Sequence, residues 1–313
     1  MNILWVKDGK VGHEKQVKVL LDEISKSIEV SITEYVVPPS SIKKFPLNLF
    51  NKIPLTDDEF DIVIGAGHST YSKILKFKKA SKTKTLAIAV LVPSFFKDRF
   101  DLICAPSHDS YKIKDTNNVI FFEGSLAKVS DIMPNSDIGF IALGGQNKHY
   151  EFNESHILKQ ITYMLSLYPS KTWYVFNSRR TSKQMNDHLC SLAKENDNVL
   201  IVFSDDNNTD ISFDEVISSA SLKLISKDSM NMVYEALSSK GKTYVFDMDS
   251  KNKDNKIVNQ INRLINNGEI GSVEYLNMSS GLKKMQLKPQ KEFNEVYAEV
   301  EKLAYKLLQK LNK

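Results

Sequence analysis

Short apolar runs alternate with helical patterns along most of the chain. The runs Asn2–Val6 and Phe60–Gly65 have the length of a strand and contain β-branched residues. Between these runs, apolar residues recur at the spacing of one helix face. They are Val17, Leu20, Leu21 and Ile24. Strands that alternate with helices in this way favour an α/β protein built on parallel sheets.

The same patterns locate the other elements. Further strands of the first half are predicted at Glu29–Val37, Thr85–Val92, Asp101–Cys104 and Asn118–Phe122. Strands of the second half are predicted at Ile138–Leu143, Thr172–Asn177, Asn198–Phe203, Leu222–Ile225 and Thr243–Phe246, which we take as the last strand. Helices are predicted at Asn153–Leu167, from the turn after Asn177 to about Glu195, at Ser229–Ser239 and at Phe293–Leu311. Because the pattern restarts near Asp137, we expect domains over residues 1–135 and 136–290, followed by a helical segment over 291–313.

Composition agrees with a globular protein and removes several classes. Hydrophobic residues make up 42% and charged residues 26% of the 313 positions, which excludes a disordered or fibrous chain. The net charge of +4 is small, so we expect no nucleic-acid partner. No apolar run reaches the ~18 residues of a membrane span. The pattern of a secretory signal is not expected either, because Lys7, Asp8 and Lys10 interrupt the first apolar run. Cys104 and Cys190 lie too far apart for a metal or redox motif. We therefore expect a cytoplasmic protein without a metal site.

Arginine is rare in this lysine-rich chain, and two of its four arginines are adjacent. They lie in Ser178-Arg179-Arg180-Thr181, which follows a predicted strand and begins a predicted helix. Guanidinium groups match phosphate oxygens bidentately, and helix N-termini attract anions. This turn is therefore typical of a phosphate or diphosphate site. A surface ion pair is the alternative, which we disfavour because the chain so seldom uses arginine.

Other strand ends of the second half also carry small or polar residues. Gly144-Gly145 would let a ligand approach the backbone, or would only form a tight turn. Ser226-Lys227-Asp228-Ser229 begins another helix, where a serine could donate to a phosphate and Glu235 could accept from ribose hydroxyls. A helix cap and a solvent-facing glutamate are the alternatives. The triplet Asp247-Met248-Asp249 is a weaker candidate, for a metal-bound diphosphate.

Three loops of the first half carry histidine. In Asp8-Gly9-Lys10-Val11-Gly12-His13-Glu14, the histidine could be a general base on an acceptor hydroxyl or could cap the helix. In Gly65-Ala66-Gly67-His68-Ser69-Thr70, the glycine spacing does not match a dinucleotide fingerprint, and a helix cap is the simpler interpretation. In Ala105-Pro106-Ser107-His108-Asp109, a histidine–aspartate pair could orient a proton-transfer group, but a structural loop is favoured.

One surface of the first half is predicted to be strongly cationic. Six lysines and no acidic residue fall within Lys73–Lys84, and Lys43-Lys44 directly precede Phe45. Near an anionic lipid surface each such lysine contributes about 1 kcal/mol, although a solvated helix face would have the same composition. Phe95, Phe96 and Phe100 could contact lipid or acceptor, but we expect them in the core.

Several of these motifs together resemble a known family. The opening Trp5–Gln16 contains Gly-His-x-x-Gln, and Ser178–Thr181 and Ser226–Ala236 follow in the second half. Ile64–Gly67, Ala105–Asp109 and Leu143–Gly145 occur in the same order as in that family. The chain is similar over residues 1–250 to the mitochondrial-fission ELM-type proteins, whose bacterial members are classed as outer-core glycosyltransferases of lipopolysaccharide.

The resemblance implies a GT-B-like α/β fold, with two facing Rossmann-like domains, a cleft and a C-terminal helix that crosses back to the first domain. It implies a glycosyltransferase that needs no cofactor or metal and moves a sugar from a nucleotide sugar to a surface glycan or a glycolipid at an anionic membrane. A non-catalytic adaptor and a nucleotide-sugar epimerase or hydrolase are the alternatives. The implied donor-binding residues are Gly144, Gly145, Ser178, Arg179, Arg180, Thr181, Phe203, Ser226, Asp228, Ser229 and Glu235. The implied catalytic residues are His13, His108 and Asp109, and the implied acceptor-side residues are Gly12, Gly67 and His68.

Overall fold

The chain divides into two compact units. A computed structural model describes residues 1–38, 59–206, 209–278, 283–291 and 296–311. One unit comprises Met1–Lys128 together with Ala298–Lys313, and the other comprises Val129–Tyr297. Lys43-Lys44 and Phe293, the predicted start of the terminal helix, lie outside the described residues. Residues 296–298 are described and are not helical, so the terminal helix begins later than predicted, at Glu299.

The first unit is a six-stranded parallel sheet with helices. Its strands are β1 (Asn2–Lys7), β2 (Ser31–Val36), β3 (Ile62–Ala66), β4 (Leu86–Val90), β5 (Leu102–Pro106) and β6 (Val119–Phe122). Its α-helices are α1 (Val11–Ser25), α2 (His68–Ala80) and α8 (Glu299–Leu311). The strands lie in the order β2-β1-β3-β4-β5-β6, and all neighbours are parallel.

The core of this unit follows the apolar pattern of the sequence. Strand β3 is buried along its whole length, as expected for a parallel sheet covered on both faces. Helix α1 buries the residues that predicted it, namely Val17, Leu20, Leu21 and Ile24. Helix α8 packs against α1 and β6 through an apolar stripe, which consists of Val300, Leu303, Ala304 and Leu307.

The second unit contains a seven-stranded sheet. Its strands are β7 (Asn135–Ala142), β8 (Thr172–Phe176), β9 (Val199–Val202), β10 (Ala220–Ile225), β11 (Lys242–Val245), β12 (Gly271–Asn277) and β13 (Lys283–Lys288). Its α-helices are α3 (Glu154–Leu167), α4 (Lys183–Glu195), α5 (Phe213–Ser219), α6 (Met230–Leu237) and α7 (Lys256–Asn267). The order is β13-β12-β11-β10-β7-β8-β9, and only the β12–β13 pair is antiparallel among the described pairs.

The α/β class is confirmed, but the prediction that Thr243–Phe246 forms the last strand is wrong. Strands β12 and β13 follow it as an antiparallel pair. Lysine and glutamine make up most of β13, which suits an edge strand and conceals it from an apolar pattern. Helices α5 and α7 were also not predicted. Helix α5 has only seven residues, whereas α7 carries a regular apolar stripe of Val258, Ile261 and Leu264 that could have revealed it. No helix in the described ranges combines the length and apolar character of a membrane span.

Each sheet has one point at which the strand order reverses. In the first unit this point lies between β1 and β3, and in the second unit it lies between β7 and β10. The connections that follow two such neighbouring strands run to opposite sides, so a crevice opens at the carboxyl ends of the strands. Open α/β proteins bind their ligands in this crevice. The loops after these four strands are therefore the first places to look for a site.

A buried lysine holds the far end of α6. The Lys223 ammonium on β10 is fully buried and donates to the carbonyl oxygens of Ala236 at 2.5 Å, Ser239 at 2.9 Å and Lys240 at 2.7 Å. It also donates to the Ser239 hydroxyl at 2.7 Å. These acceptors end the helix that begins beside the second crevice. Burial lowers the pKa of the Lys223 ammonium to about 7.

We expect this lysine to make stability depend on pH. Because its pKa is lower in the folded chain, the unfolded chain binds more protons between neutral pH and the ordinary pKa of lysine, and the free energy of unfolding rises with pH. The gain should be about 2 kcal/mol from about pH 7 to about pH 9. Urea unfolding of wild type and Lys223→Met measures it, with the exposed Lys242→Met as control. An equal pH slope in wild type and Lys223→Met would contradict the assignment.

Candidate functional site

A buried carboxylate and a histidine meet at the crevice of the first unit. Asp8 follows β1, and its side chain is only 1% exposed. Its Oδ2 lies 2.8 Å from Nδ1 of His13, in the first turn of α1. A carboxylate offers only acceptors, so Nδ1 carries the proton and Nε2 is the basic nitrogen. Asp8 thus fixes the tautomer and the orientation that a general base requires.

The neighbouring loop is shaped to fit this pair. Gly67, after β3, has a φ of +98°, and a Cβ there would overlap Asp8 Oδ2 and lie 2.6 Å from His13 Nδ1. The Gly9 amide donates to Glu14 Oε1 at 2.8 Å, which closes the loop on the other side. The glycine therefore stands where it does because the Asp8–His13 pair occupies the space.

Two other acceptor-side residues lie close to the pair along the chain. Gly12 is inside the first turn of α1, where its carbonyl accepts from the Gln16 side chain at 3.2 Å. His68 is the exposed first residue of α2, and its Nδ1 lies 3.3 Å from the Ser94 hydroxyl. The structure therefore places Gly12, Gly67 and His68 at the carboxyl edge of β1 and β3.

The histidine and aspartate after β5 lie farther along the sheet. His108 and Asp109 belong to a 3-10 helix over Ser107–Lys112. Strands β3 and β4 separate β5 from β1, so at the usual strand spacing this loop is about 14 Å from the end of β1. Asp109 is buried and pairs with Lys112 at 3.0 Å. The Asp8–His13 pair is therefore the better-placed proton-transfer group of this unit.

Three polar loops converge on one carboxylate at the crevice of the second unit. Asp228 follows β10, and its side chain is fully buried. Its Oδ2 accepts from the Gly145 amide at 3.1 Å and pairs with Arg180 Nη1 at 2.6 Å. The Ser226 hydroxyl accepts from the Gly144 amide at 2.8 Å. The turns after β7, β8 and β10, which were predicted separately, therefore form one assembly.

The turn after β8 is attached to the same point. The Ser178 and Thr181 hydroxyls donate to the Gly144 carbonyl at 2.9 and 2.5 Å. Thr181 also accepts from the Ser178 amide at 3.0 Å. These hydroxyls satisfy backbone groups that a sharp turn would otherwise leave without partners.

The glycines of the second unit are required by the protein's own atoms. A Cβ on Gly144 would overlap the Asp228 carboxylate, and one on Gly145 would overlap the backbone of Arg180. The sequence left open whether Gly144-Gly145 admits a ligand or forms a tight turn, and these contacts are those of a tight turn. The close approach is that of one loop to another.

The remaining predicted residues surround this assembly. Ser229 is the N-cap of α6, where it accepts from the Met232 amide at 3.5 Å. Glu235 is half-buried on the second turn of that helix, and Arg179 is exposed beside Arg180. Phe203 is half-buried directly after β9, at the same edge of the sheet. Because the first amides of α6 point out of its N-terminus, this end attracts negative charge.

Two charged residues near the crevices were not predicted as site residues. Both carried a signal, because Asp8 stands in the same loop as His13, and buried Lys227 stands in the same turn as Asp228. Burial lowers the pKa of the Lys227 ammonium, while the charges of Asp247, Asp249 and Glu274 act to raise it. The Asp247-Met248-Asp249 triplet, which lines a polar cavity of about 110 Å³, thus has a protein cation nearby.

The fold is that of the GT-B-like α/β proteins. Each of the two units contains one sheet, and the described strands of these sheets are mostly parallel. A UDP-GlcNAc 2-epimerase from Methanocaldococcus jannaschii matches at a TM-score of 0.51 and 12% identity, covering 99% of this chain and 100% of that one. The calicheamicin glycosyltransferase CalG4 matches at 0.47 and 11% identity, over 85% and 84%. The lipopolysaccharide outer-core galactosyltransferase WaaB matches at 0.42 and 13% identity, over 87% and 92%.

The chain belongs to the mitochondrial fission ELM1 family, whose model matches residues 11–307. No curated protein matches it. The resemblance drawn from the sequence motifs is therefore confirmed at the level of the family and of the fold.

We expect Gly67→Ala to cost more stability than Gly9→Ala. Both glycines have positive φ, +98° and +77°, but a Cβ on Gly9 would meet no atom within 4 Å. Gly9→Ala should cost about 1 kcal/mol from its backbone conformation. Gly67→Ala should cost about 2 kcal/mol more, because it displaces the Asp8–His13 pair. Urea unfolding compares the two. Equal costs would show that the pair does not pack against Gly67.

We expect Arg180→Ala to destabilise the second unit by about 2 kcal/mol, between the values for exposed and buried ion pairs, because it leaves the Asp228 carboxylate with less compensation. The double variant Arg180→Ala/Asp228→Asn should recover part of the loss. The exposed neighbour Arg179→Ala should change stability by less than about 0.5 kcal/mol. Chemical denaturation of the four proteins tests this, and an equal loss in both arginine variants would refute the pairing.

Proposed function

We propose that the protein is a glycosyltransferase that moves a sugar from a nucleotide-activated donor to a hydroxyl of a glycan or glycolipid. The observation that carries the proposal is the convergence of three polar loops and the α6 N-terminus at the strand-order reversal of the second unit. By the family resemblance, the acceptor would be of the lipopolysaccharide outer-core type. The reaction would take place on the cytoplasmic side of the membrane.

The second unit would hold the donor. The exposed guanidinium of Arg179 and the first amides of α6, beside Ser229, would meet the charge of the diphosphate. Glu235 would accept from the ribose, and Phe203 would lie beside the base. Arg180 is engaged by Asp228, so we assign it to holding the loops and Arg179 to the phosphate. The leaving charge would be met by these groups, and the proposal requires no metal ion or cofactor.

The first unit would supply the base. His13 Nε2 would take the proton of the acceptor hydroxyl, and the acceptor oxygen would bond to the anomeric carbon of the sugar. The bond from that carbon to the phosphate oxygen would break, and the nucleoside diphosphate would leave with the electron pair. Asp8 would stabilise the imidazolium that forms. His108 and Asp109 would contact the acceptor farther along the same edge.

An epimerase is the second candidate. The fold of the archaeal UDP-GlcNAc 2-epimerase matches along essentially the whole of both chains. An Asp–His pair could also move protons to and from a bound nucleotide sugar, and such a reaction would need no acceptor. A non-catalytic member of the family would bind the nucleotide without either reaction.

We expect nucleotide sugars to stabilise the protein. A ligand that binds only the folded state adds about 2.7 kcal/mol at a concentration of 100 Kd. Thermal denaturation with UDP, UDP-GlcNAc and other nucleotide sugars measures this. Arg179→Ala should reduce affinity about tenfold or more, whereas Lys194→Ala, at the far end of the helix α4 that follows Arg179, should leave it unchanged. No stabilisation by any nucleotide or nucleotide sugar would refute the donor assignment.

The product then separates the candidates. With donor and extracted glycan acceptor, wild type should transfer the sugar. His13→Ala should bind donor normally but transfer at least about 100-fold more slowly, as expected for loss of a general base. Interconversion of the nucleotide sugar without acceptor would establish the epimerase. Binding without either product would establish a non-catalytic protein.

A further inference from the structure

Two phenylalanines lie on the surface of the first unit where a core position was expected. Phe95 is 76% exposed and Phe96 is 57% exposed, whereas Phe100 is 2% exposed. The expectation of core packing is therefore wrong for the first two and right for the third. Within the described ranges, no other phenylalanine is exposed. Neighbouring exposed aromatics of this kind mark an interaction surface.

The backbone holds this pair outward. The connection from β4 to β5 contains no α-helix and only one short 3-10 helix, Lys97–Arg99, so little chain is available to cover it. Leu91 and Phe96 adopt positive φ values of 69° and 56°, which bulky residues seldom adopt. Because such conformations persist only where the surroundings impose them, the exposure of the pair is built into the fold.

Firm anchors fix both ends of the connection. Val92 and Phe100 are buried in the core of the first unit. The Asn118 side chain donates to the carbonyls of Lys97 at 3.0 Å and Phe100 at 2.8 Å. The Arg99 guanidinium lies 4.4 Å from the centre of the Phe96 ring. The exposed rings are therefore presented by an ordered loop.

The segment that carries the two rings, together with the helix before it, is rich in positive charge. Residues 73–101 contain eight lysines and arginines but only two acids. Lys78 of α2 joins the helix to this connection through an ion pair with Asp101 at 2.7 Å. At the other end of the connection, the Ser94 hydroxyl lies 3.3 Å from His68 Nδ1. His68 directly follows Gly67, which packs against the Asp8–His13 pair. Aromatic residues beside a cationic surface suit the interface of an anionic bilayer.

We propose that Phe95 and Phe96 insert into the headgroup region of an anionic membrane, while the lysines of α2 and of the loop that follows it contact its phosphates. This inference rests on the proposed function in one respect: membrane attachment would bring the enzyme to a lipid-borne acceptor. The attachment would bring the carboxyl edge of β1 and β3 to the bilayer surface. The occupant is a lipid surface because the patch combines apolar rings with unbalanced positive charge.

Vesicle co-sedimentation without donor or acceptor tests the inference separately from the reaction. Wild type should bind vesicles of phosphatidylcholine with 30% phosphatidylglycerol at about 0.1 M salt, and bind pure phosphatidylcholine at least tenfold more weakly. Phe95→Ser/Phe96→Ser should reduce binding at least tenfold, and so should Lys79→Glu/Lys82→Glu. The control Tyr111→Ser/Tyr305→Ser removes two other exposed aromatics of the same unit and should bind as wild type.

A second measurement reports insertion directly. Phe95→Trp should keep binding, and its fluorescence should shift to the blue and be quenched by brominated lipid. Because Trp5 and Trp173 are buried, wild type gives the background signal. Circular dichroism confirms that each variant folds. Binding of the double serine variant at the wild-type level, or absence of wild-type binding to anionic vesicles, would overturn the proposal, whatever the donor experiments show.

Discussion

A buried carboxylate at the carboxyl edge of each sheet is the constraint on which both candidate sites depend. The Asp8 and Asp228 side chains are 1% and 0% exposed, and a buried charge is tolerated only when it is paired and hydrogen-bonded. Asp8 pairs with His13, and the Oδ2 atom of Asp228 pairs with Arg180 and accepts from a backbone amide. Both also require a glycine on the neighbouring strand end, Gly67 or Gly144, because a Cβ would occupy the same space.

The two units use this arrangement for different purposes. In the first, the carboxylate orients an imidazole whose other nitrogen can move a proton. In the second, it binds Arg180 and draws three loops together at the N-terminus of α6, and Arg179 lies exposed beside Arg180. Lys223 secures the opposite end of that helix. A proton-transfer group and an anion-binding group, each held rigidly, are what transfer of a sugar from a nucleotide would need.

Local pattern was sufficient for the α/β class and for the turns that carry polar residues, because strand length, helical spacing and the glycines are local properties. It could not show that Asp228 meets Arg180, because that contact depends on β10 lying beside β7, a pairing between distant segments. It also missed β12 and β13, where an edge position permits polar residues. Phe95 and Phe96 were expected in the core because hydrophobicity alone does not reveal how little chain covers the connection around them.

The proposed reaction requires that a nucleotide-activated donor binds at the strand-order reversal of the second unit. A crystal structure of the protein with a bound nucleoside diphosphate tests it most directly. We expect the diphosphate at the N-terminus of α6, with the Arg179 side chain within hydrogen-bonding distance of its oxygens and the ribose beside Glu235. A nucleotide bound elsewhere, or a diphosphate that contacts neither Arg179 nor the first amides of α6, would contradict it.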